Sequence, residues 1–165
     1  MTNNKITYLT YDGILENITD SQVTSYIIKL SKTNKLRLIS FEKKNLLDNK
    51  NHFNSTYKKL KDNNIEWKYF IYSKKPFMIG TLLNGLKIMY YFFFIMQNNN
   101  IYHCRSYLPT LFCYFLSKFK FVKYIFDMRG FWPDEKIERT KLSNNSLIYK
   151  FLKYIEIKLI HKASH

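Results

Sequence analysis

Short apolar runs alternate with helical patterns from one end of the chain to the other, and this alternation constrains the fold most. Apolar runs rich in β-branched and aromatic residues predict five strands, at residues 6–10, 35–41, 65–72, 100–102 and 122–126. Helical spacing predicts helices over residues 23–30, around residues 57–60, and over residues 76–96, 109–117 and 145–162. Such alternation is typical of parallel sheets with helices on both faces. We therefore predict an α/β fold, a Rossmann-like doubly wound parallel sheet in three α/β/α layers.

The length of 165 residues suits a single domain over residues 1–165, because no internal repeat or linker divides the chain. Hydrophobic residues make up 46% of the sequence, which indicates a folded protein. In the last helix, the residues predicted to face the core are Leu147, Phe151, either Tyr154 or Ile155, and Leu159.

The chain carries a formal net charge of +15, and 23 of its 27 basic residues are lysines spread along the whole sequence. Such dispersed charge attracts nucleic acid, anionic lipid headgroups and phosphorylated substrates without selecting one of them. Nucleic-acid recognition usually shows a clustered basic stripe or a known module, and neither is recognisable in the sequence. Nucleic acid is therefore not expected as a partner.

The most apolar segment, residues 82–96, is predicted to be a buried helix that crosses between strands. Its uninterrupted apolar part, Ile88–Met96, is far shorter than the roughly 20 residues that a membrane-spanning helix needs. A helix that rests on a membrane surface, helped by the lysine excess, is an open alternative. The N-terminus lacks a signal-peptide pattern, so we expect a cytoplasmic protein, with peripheral contact to the inner membrane left open.

Two polar clusters stand where predicted strands stop, His-Cys-Arg at residues 103–105 and Asp-Met-Arg-Gly at residues 127–130. Ligands of open α/β sheets bind outside the carboxyl ends of the strands, so these clusters predict a binding edge. His103 and Arg105 point to the same side if strand geometry continues through them. Imidazole can exchange a proton near neutral pH, and guanidinium can hold a phosphate or carboxylate. Asp127 can act as a base or receive a sugar hydroxyl.

The segment after the fifth strand adds further candidates: Arg129, Gly130, Asp134 and Glu135. Gly130 permits a turn, and the Phe-Trp-Pro stretch at residues 131–133 is predicted to be a bulky loop that could shelter a site from water. Structural ion pairs are the alternative, with Arg105 paired to Asp127, or Arg129 paired to Asp127 or Asp134. The sequence leaves both interpretations open.

Asp12 and Gly13 follow the first strand, where a glycine lets the backbone turn sharply and approach a ligand. The G-x-G-x-x-G spacing and the P-loop are both missing, which argues against nicotinamide and nucleoside triphosphate cofactors. Cys104 and Cys113 show no metal-ligand spacing and are predicted to be reduced, buried thiols. We therefore expect no metal site and no cofactor.

The stretch from Ile101 to Glu135 resembles the amino-terminal domain of the family 4 glycosyltransferases, which have the GT-B fold. It carries a strand ending in His-x-Arg with Ser106 and a proline nearby, then a strand running into Asp-x-Arg-Gly-Phe-Trp and an acidic pair. The opening strand with its Asp-Gly turn and the terminal helix at residues 149–163 fit the same pattern. The resemblance covers nearly the whole chain.

The resemblance implies one half of a GT-B architecture, in which two Rossmann-like domains face each other across a cleft. The amino-terminal domain handles the acceptor, the carboxyl-terminal domain grips the nucleotide sugar, and transfer proceeds with retention of configuration and without a metal. Asp127 would then be catalytic. The substrate-binding residues would be Asp12, Gly13, His103, Arg105, Arg129, Gly130, Asp134 and Glu135.

The expected function is transfer of a sugar from a nucleotide-sugar donor to a glycan or lipid-linked acceptor, in cell-surface polysaccharide biosynthesis. The family's donor-binding elements have no counterpart in these residues, so activity is expected only together with a donor-binding half, for example a separate subunit. The alternative is a non-catalytic Rossmann-like binding module or a partner subunit of a split glycosyltransferase.

Overall fold

The computed structural model describes residues 4–16, 19–72, 83–87, 89–91, 101–119, 122–140, 143 and 145–164. Five parallel strands form one sheet in the order β3-β2-β1-β4-β5. They are β1 (Lys5–Thr10), β2 (Lys35–Glu42), β3 (Glu66–Ile71), β4 (Ile101–Arg105) and β5 (Lys123–Asp127). The predicted α/β class, with a Rossmann-like parallel sheet flanked by helices, is confirmed.

Helical segments follow each of the five strands. A π-helical turn, Asp20–Thr24, runs directly into α1 (Ser25–Ser31). The others are α2 (Lys44–Leu47), α3 (Lys50–Asp62), α4 (residues 83–87 and 89–91), α5 (Tyr107–Leu116), α6 (Trp132–Thr140) and α7 (Leu147–Lys162). Asn49 caps α3 by accepting the His52 N–H at 3.3 Å, and Ser146 caps α7 by accepting the Tyr149 N–H at 3.3 Å.

Two hydrophobic cores lie on opposite faces of the sheet, because successive strand side chains point to opposite sides. Tyr8 belongs to the core that packs against α1 and α3 through residues such as Ile27 and Leu60. Its neighbour Leu9 belongs to the other core, with the buried, unbridged thiols of Cys104 and Cys113. The two cores account for the three layers, and the predicted burial of both cysteines is confirmed.

The strand order creates a switch point between β1 and β4. From β1 the chain moves outward to β2 and β3, and it then returns to β4 on the other side of β1. Connections therefore leave β1 and β4 in opposite directions, which opens a crevice at their carboxyl ends. The register places Thr10 beside Arg105 and Arg105 beside Asp127 at this edge.

Two predicted boundaries are wrong near this edge. Strand β4 was predicted to end near residue 102 but continues to Arg105, since each of its residues pairs with β1 and β5. The predicted loop over residues 131–133 instead enters α6 at Trp132. Proline is tolerated in a first helical turn, and Asp134 and Glu135 suit the positive end of the helix dipole.

The helical burial predictions are wrong in part. Leu159 is buried as expected, and of the alternatives Tyr154 and Ile155 only Ile155 is partly buried. Leu147 is 85% exposed, and Phe151 also faces solvent. In α4, Leu86 and Tyr90 are exposed whereas Asn84 and Tyr91 are buried, so the described part of this predicted crossover helix buries one face rather than its whole surface. The rest of predicted helix 76–96 lies outside the described residues. A helix that is apolar all round can still bury only the stripe that meets the sheet.

Candidate functional site

A cleft of about 380 Å³ lies at the carboxyl edge of β1, β4 and β5, at the switch point of the sheet. We call it the arginine cleft. It is lined by Tyr8, Gln22, Tyr26, His103, Arg105, Ile125, Asp127 and Arg129.

The strand register builds the wall of this cleft. His103 and Arg105 are two residues apart on β4 and line the same cleft, as their spacing predicts. His103 pairs with Tyr8 of β1 in the register, and their rings lie 4.8 Å apart. Arg105 pairs with Asp127 of β5. Both His103 and Arg105 are more than nine-tenths buried.

Gln22 holds the two arginines together. Its Oε1 atom accepts hydrogen bonds from Arg105 Nη2 at 2.7 Å and from Arg129 Nη2 at 3.0 Å. Gln22 lies in the π-helical turn, a rare geometry that often occurs at functional sites. One neutral oxygen thus joins two positively charged groups, and their charges are not compensated by it.

The Asp127 carboxylate faces three basic side chains but lies beyond hydrogen-bonding distance of each of them. Its oxygens lie 3.8 Å from His103 Nε2, 3.9 Å from Arg105 Nη1 and 3.8 Å from Arg129 Nη1. These distances exceed hydrogen-bonding range. The interaction with His103, followed by the charges of Arg129 and Arg105, lowers the pKa of Asp127 despite its partial burial. Asp127 is therefore ionised at neutral pH and can accept a proton or a hydrogen bond from a ligand.

Tyrosine hydroxyls complete the polar lining of the arginine cleft. Burial raises the pKa of Tyr8 to about 12, although the neighbouring Arg105 opposes this shift. The Tyr26 hydroxyl lies 3.4 Å from Nδ1 of His103, so it can fix the ring that faces Asp127. Both phenols remain protonated at neutral pH and can act as donors.

Arg105, which lines the cleft, has a buried donor without a partner among the described residues. Within the described part of the chain, Arg105 Nε is buried and makes no hydrogen bond. Most buried polar atoms are hydrogen-bonded, so an unpaired guanidinium N–H beside an open cleft is a feature that a ligand could satisfy.

The Asp12-Gly13 turn lies in a second cleft, of about 280 Å³, beside β2 rather than β4. The Glu42 carboxylate supports this turn by accepting the N–H groups of Ile14 at 2.9 Å and Leu15 at 3.2 Å. It also accepts the Ser40 hydroxyl at 2.6 Å. We call this arrangement the Glu42 brace. A β-carbon on Gly13 would lie 2.6 Å from Glu42 Oε2, so the glycine is required for close packing.

Asp134, Glu135 and Gly130 do not line the arginine cleft. Asp134 accepts hydrogen bonds from Tyr149 at 2.7 Å and Lys153 at 3.0 Å, which ties α6 to α7. Glu135 lies 3.9 Å from Arg139, one turn along α6. The Gly130 carbonyl lies 3.1 Å from the Tyr107 hydroxyl, which also lies 2.5 Å from the buried Glu156. Asp134 therefore links α6 to α7, Glu135 makes an exposed contact within α6, and the Gly130 carbonyl contacts Tyr107 of α5.

Four cleft residues escaped the sequence prediction: Tyr8, Gln22, Tyr26 and the apolar Ile125. Strand parity could have placed Tyr8 on the face of His103 once the β1–β4 pairing was known. No sequence pattern places Gln22 in the cleft, because its position depends on a π-helical turn that the sequence does not predict.

Comparisons with family models, with curated proteins and with solved structures returned no match. Among the residues that the structure describes, no three His, Cys, Asp or Glu side chains gather as a metal-binding group. No helix in the described ranges combines the length and the apolarity needed to cross a bilayer.

Proposed function

We propose that this chain is the acceptor-side domain of a GT-B-type glycosyltransferase. It would hold a glycan or lipid-linked acceptor in the arginine cleft while a donor-binding half presents the nucleotide sugar. The setting suggested by the resemblance is cell-surface polysaccharide biosynthesis. The support is the resemblance of residues 101–135 to the family 4 enzymes, together with a cleft at the switch point of a Rossmann-like sheet.

The single observation that carries this proposal is the open Asp127 carboxylate. It is held ionised among His103, Arg105 and Arg129, yet none of these groups approaches within hydrogen-bonding distance. A carboxylate in this state can orient an acceptor hydroxyl and draw off its proton as the new glycosidic bond forms. His103 can share that proton because its Nε2 faces the same carboxylate.

The test is sugar transfer by the tagged chain purified from its native cells, so that any donor-binding partner is retained. A panel of nucleotide sugars is offered with a native lipid and glycan fraction, and release of nucleoside diphosphate is measured. Asp127→Asn should lower the rate by at least about 100-fold, because it removes the base without removing volume. Circular dichroism and thermal melting should show an intact fold.

Asp62→Asn is the matched control, since Asp62 ends α3 on the surface and away from the arginine cleft. It should leave transfer unchanged. Wild-type rates in Asp127→Asn would reject Asp127 as the catalytic group. Absence of transfer from every nucleotide sugar in the wild-type preparation would count against the glycosyltransferase proposal itself.

A non-catalytic binding module is the second candidate, and the unpaired Arg105 Nε favours it as much as it favours an enzyme. A buried donor can be satisfied by a ligand whether or not a reaction follows. Under this alternative, glycan or anionic ligands bind and Asp127→Asn changes affinity, while the purified native complex turns over no nucleotide sugar. Turnover that depends on Asp127 excludes it.

Helix α7 supports peripheral contact with an anionic membrane. Its exposed Leu147, Phe151 and Tyr154 alternate with the exposed lysines Lys150 and Lys158. Apolar side chains with interspersed lysines are typical of helices that lie in the headgroup region. The chain should co-sediment with phosphatidylglycerol vesicles and be released by salt or by Phe151→Glu. Equal binding to neutral vesicles, or none to either kind, would contradict this contact.

A further inference from the structure

We infer that the arginine cleft is a binding site for a phosphoryl group, held between Arg105 and Arg129. This inference deepens the proposed function. It rests on that proposal in one respect, namely that the phosphorylated ligand is the acceptor. The cleft would then select phosphorylated ligands, such as sugar phosphates or diphosphate-linked glycans, over neutral ones.

The charge balance of the cleft favours an anionic ligand. Among the described residues that line the cleft, two guanidinium groups face one ionised carboxylate, that of Asp127, and Gln22 contributes only a neutral oxygen. Arg105 is only 8% exposed, so water can screen little of its charge. A buried charge is costly unless it is paired, and the pairing with Asp127 is incomplete at 3.9 Å.

The unsatisfied donor points in the same direction. Arg105 uses Nη2 for Gln22, while its Nε is buried without a partner. Nε and a terminal nitrogen form the edge of the guanidinium that grips two oxygens of one anion. The Gln22 oxygen touches Nη2 of both arginines, which marks a point where one anionic oxygen could bridge them.

The number of donors favours a phosphoryl group over a carboxylate. Arg105, Arg129 and the Tyr26 hydroxyl present several N–H and O–H groups to one cleft. A carboxylate offers two oxygens to these donors, whereas a phosphoryl group offers three in a tetrahedral arrangement. The larger anion therefore satisfies more of them at once.

Isothermal titration calorimetry on the purified chain tests this site without any need for transfer. The probes are inorganic phosphate, glucose 1-phosphate, UDP and the carboxylate glucuronate. Glucose 1-phosphate should bind in competition with inorganic phosphate, and glucuronate should bind at least about tenfold more weakly. UDP that binds in place of glucose 1-phosphate would support the phosphoryl site while assigning the group to the nucleotide.

Arg129→Gln should lower the affinity for glucose 1-phosphate at least about tenfold, and Arg129→Lys should recover part of that affinity. Arg139→Gln is the matched control, because Arg139 lies on the surface of α6 and the substitution removes the same charge. Equal affinities in Arg129→Gln and Arg139→Gln, equal binding of glucuronate, or no binding of any phosphate at millimolar concentration would overturn the inference.

The two proposals fail separately. Phosphoryl binding that depends on Arg129, with no sugar transfer in the native preparation, keeps the phosphoryl site and counts against the transferase. Transfer by Arg129→Gln with an unchanged acceptor KM keeps the transferase and overturns the phosphoryl site.

Discussion

The arginine cleft and the Glu42 brace lie at the same edge of one sheet, yet they differ in how completely their polar groups are hydrogen-bonded. In the brace, a fully buried carboxylate accepts three hydrogen bonds between 2.6 and 3.2 Å. In the cleft, the Asp127 carboxylate makes only contacts of 3.8–3.9 Å to its basic neighbours, and Arg105 Nε has no partner within the described chain.

The difference separates a structural polar group from one that is ready for a ligand. A buried group that makes several hydrogen bonds within the protein fixes the turn around it and is not available to bind a ligand. A group whose hydrogen bonds are incomplete retains capacity for a partner from outside. Among the residues predicted at this edge, Asp12 and Gly13 belong beside the brace, and Asp127 belongs to the cleft.

The largest effect on stability is expected from breaking the brace. Glu42→Ala leaves the N–H groups of Ile14 and Leu15 buried without acceptors, which should lower the free energy of unfolding by about 3 kcal/mol. Denaturant unfolding measures this loss. Glu16→Gln is the control, because the half-exposed Glu16 carboxylate pairs with the exposed Lys43 at 2.9 Å, and its loss should cost about 0.5 kcal/mol or less. Similar losses in both variants would show that Glu42 is not a brace.

A pair of glycine substitutions gives the next largest effect. Gly13→Ala sets a β-carbon 2.6 Å from the Glu42 carboxylate and 3.0 Å from the Phe41 carbonyl, and neither can move freely. The free energy of unfolding should fall by about 1–3 kcal/mol. Gly130→Ala meets only the end of the flexible, surface-exposed Glu135 side chain, so its cost should be much smaller. A reversal of this order, measured by thermal unfolding, would contradict the close packing at Gly13.

The smallest effect is a difference in pH response between the two carboxyls. The pKa of Asp127 is lowered below 3.8, so its contribution to stability is complete above that pH and is lost as the pH falls through the folded pKa. Burial raises the pKa of Glu42 above 4.5, despite its three hydrogen bonds. The free energy of unfolding should therefore decline as the pH rises from about 4.5 through that folded pKa.

Denaturant unfolding across pH 2.5–8 separates the two carboxyls. Asp127→Asn should remove stability near neutral pH, and its difference from the wild type should shrink below about pH 4. Glu42→Gln should instead flatten the decline above pH 4.5. Parallel pH curves for the two variants would show that the groups do not differ in the way the geometry indicates.

Much of the fold, and half of the cleft, could be predicted from local patterns. The alternation of strand and helix patterns determined the α/β class and the position of each described strand to within a few residues. Strand parity placed His103 and Arg105 on one side, and the end of a strand placed Asp127 at the binding edge. These features depend on periodicity along the chain, which the sequence contains in full.

The tertiary structure alone decided which of these residues meet. The strand order and register bring Arg105 beside Asp127, and a π-helical turn distant in sequence brings Gln22 onto both arginines. The same packing directs Asp134 to Lys153 and leaves Leu147 exposed. Residue types and local periods specify which side chains can reach an edge, but a contact between distant segments depends on how the whole sheet and its helices pack.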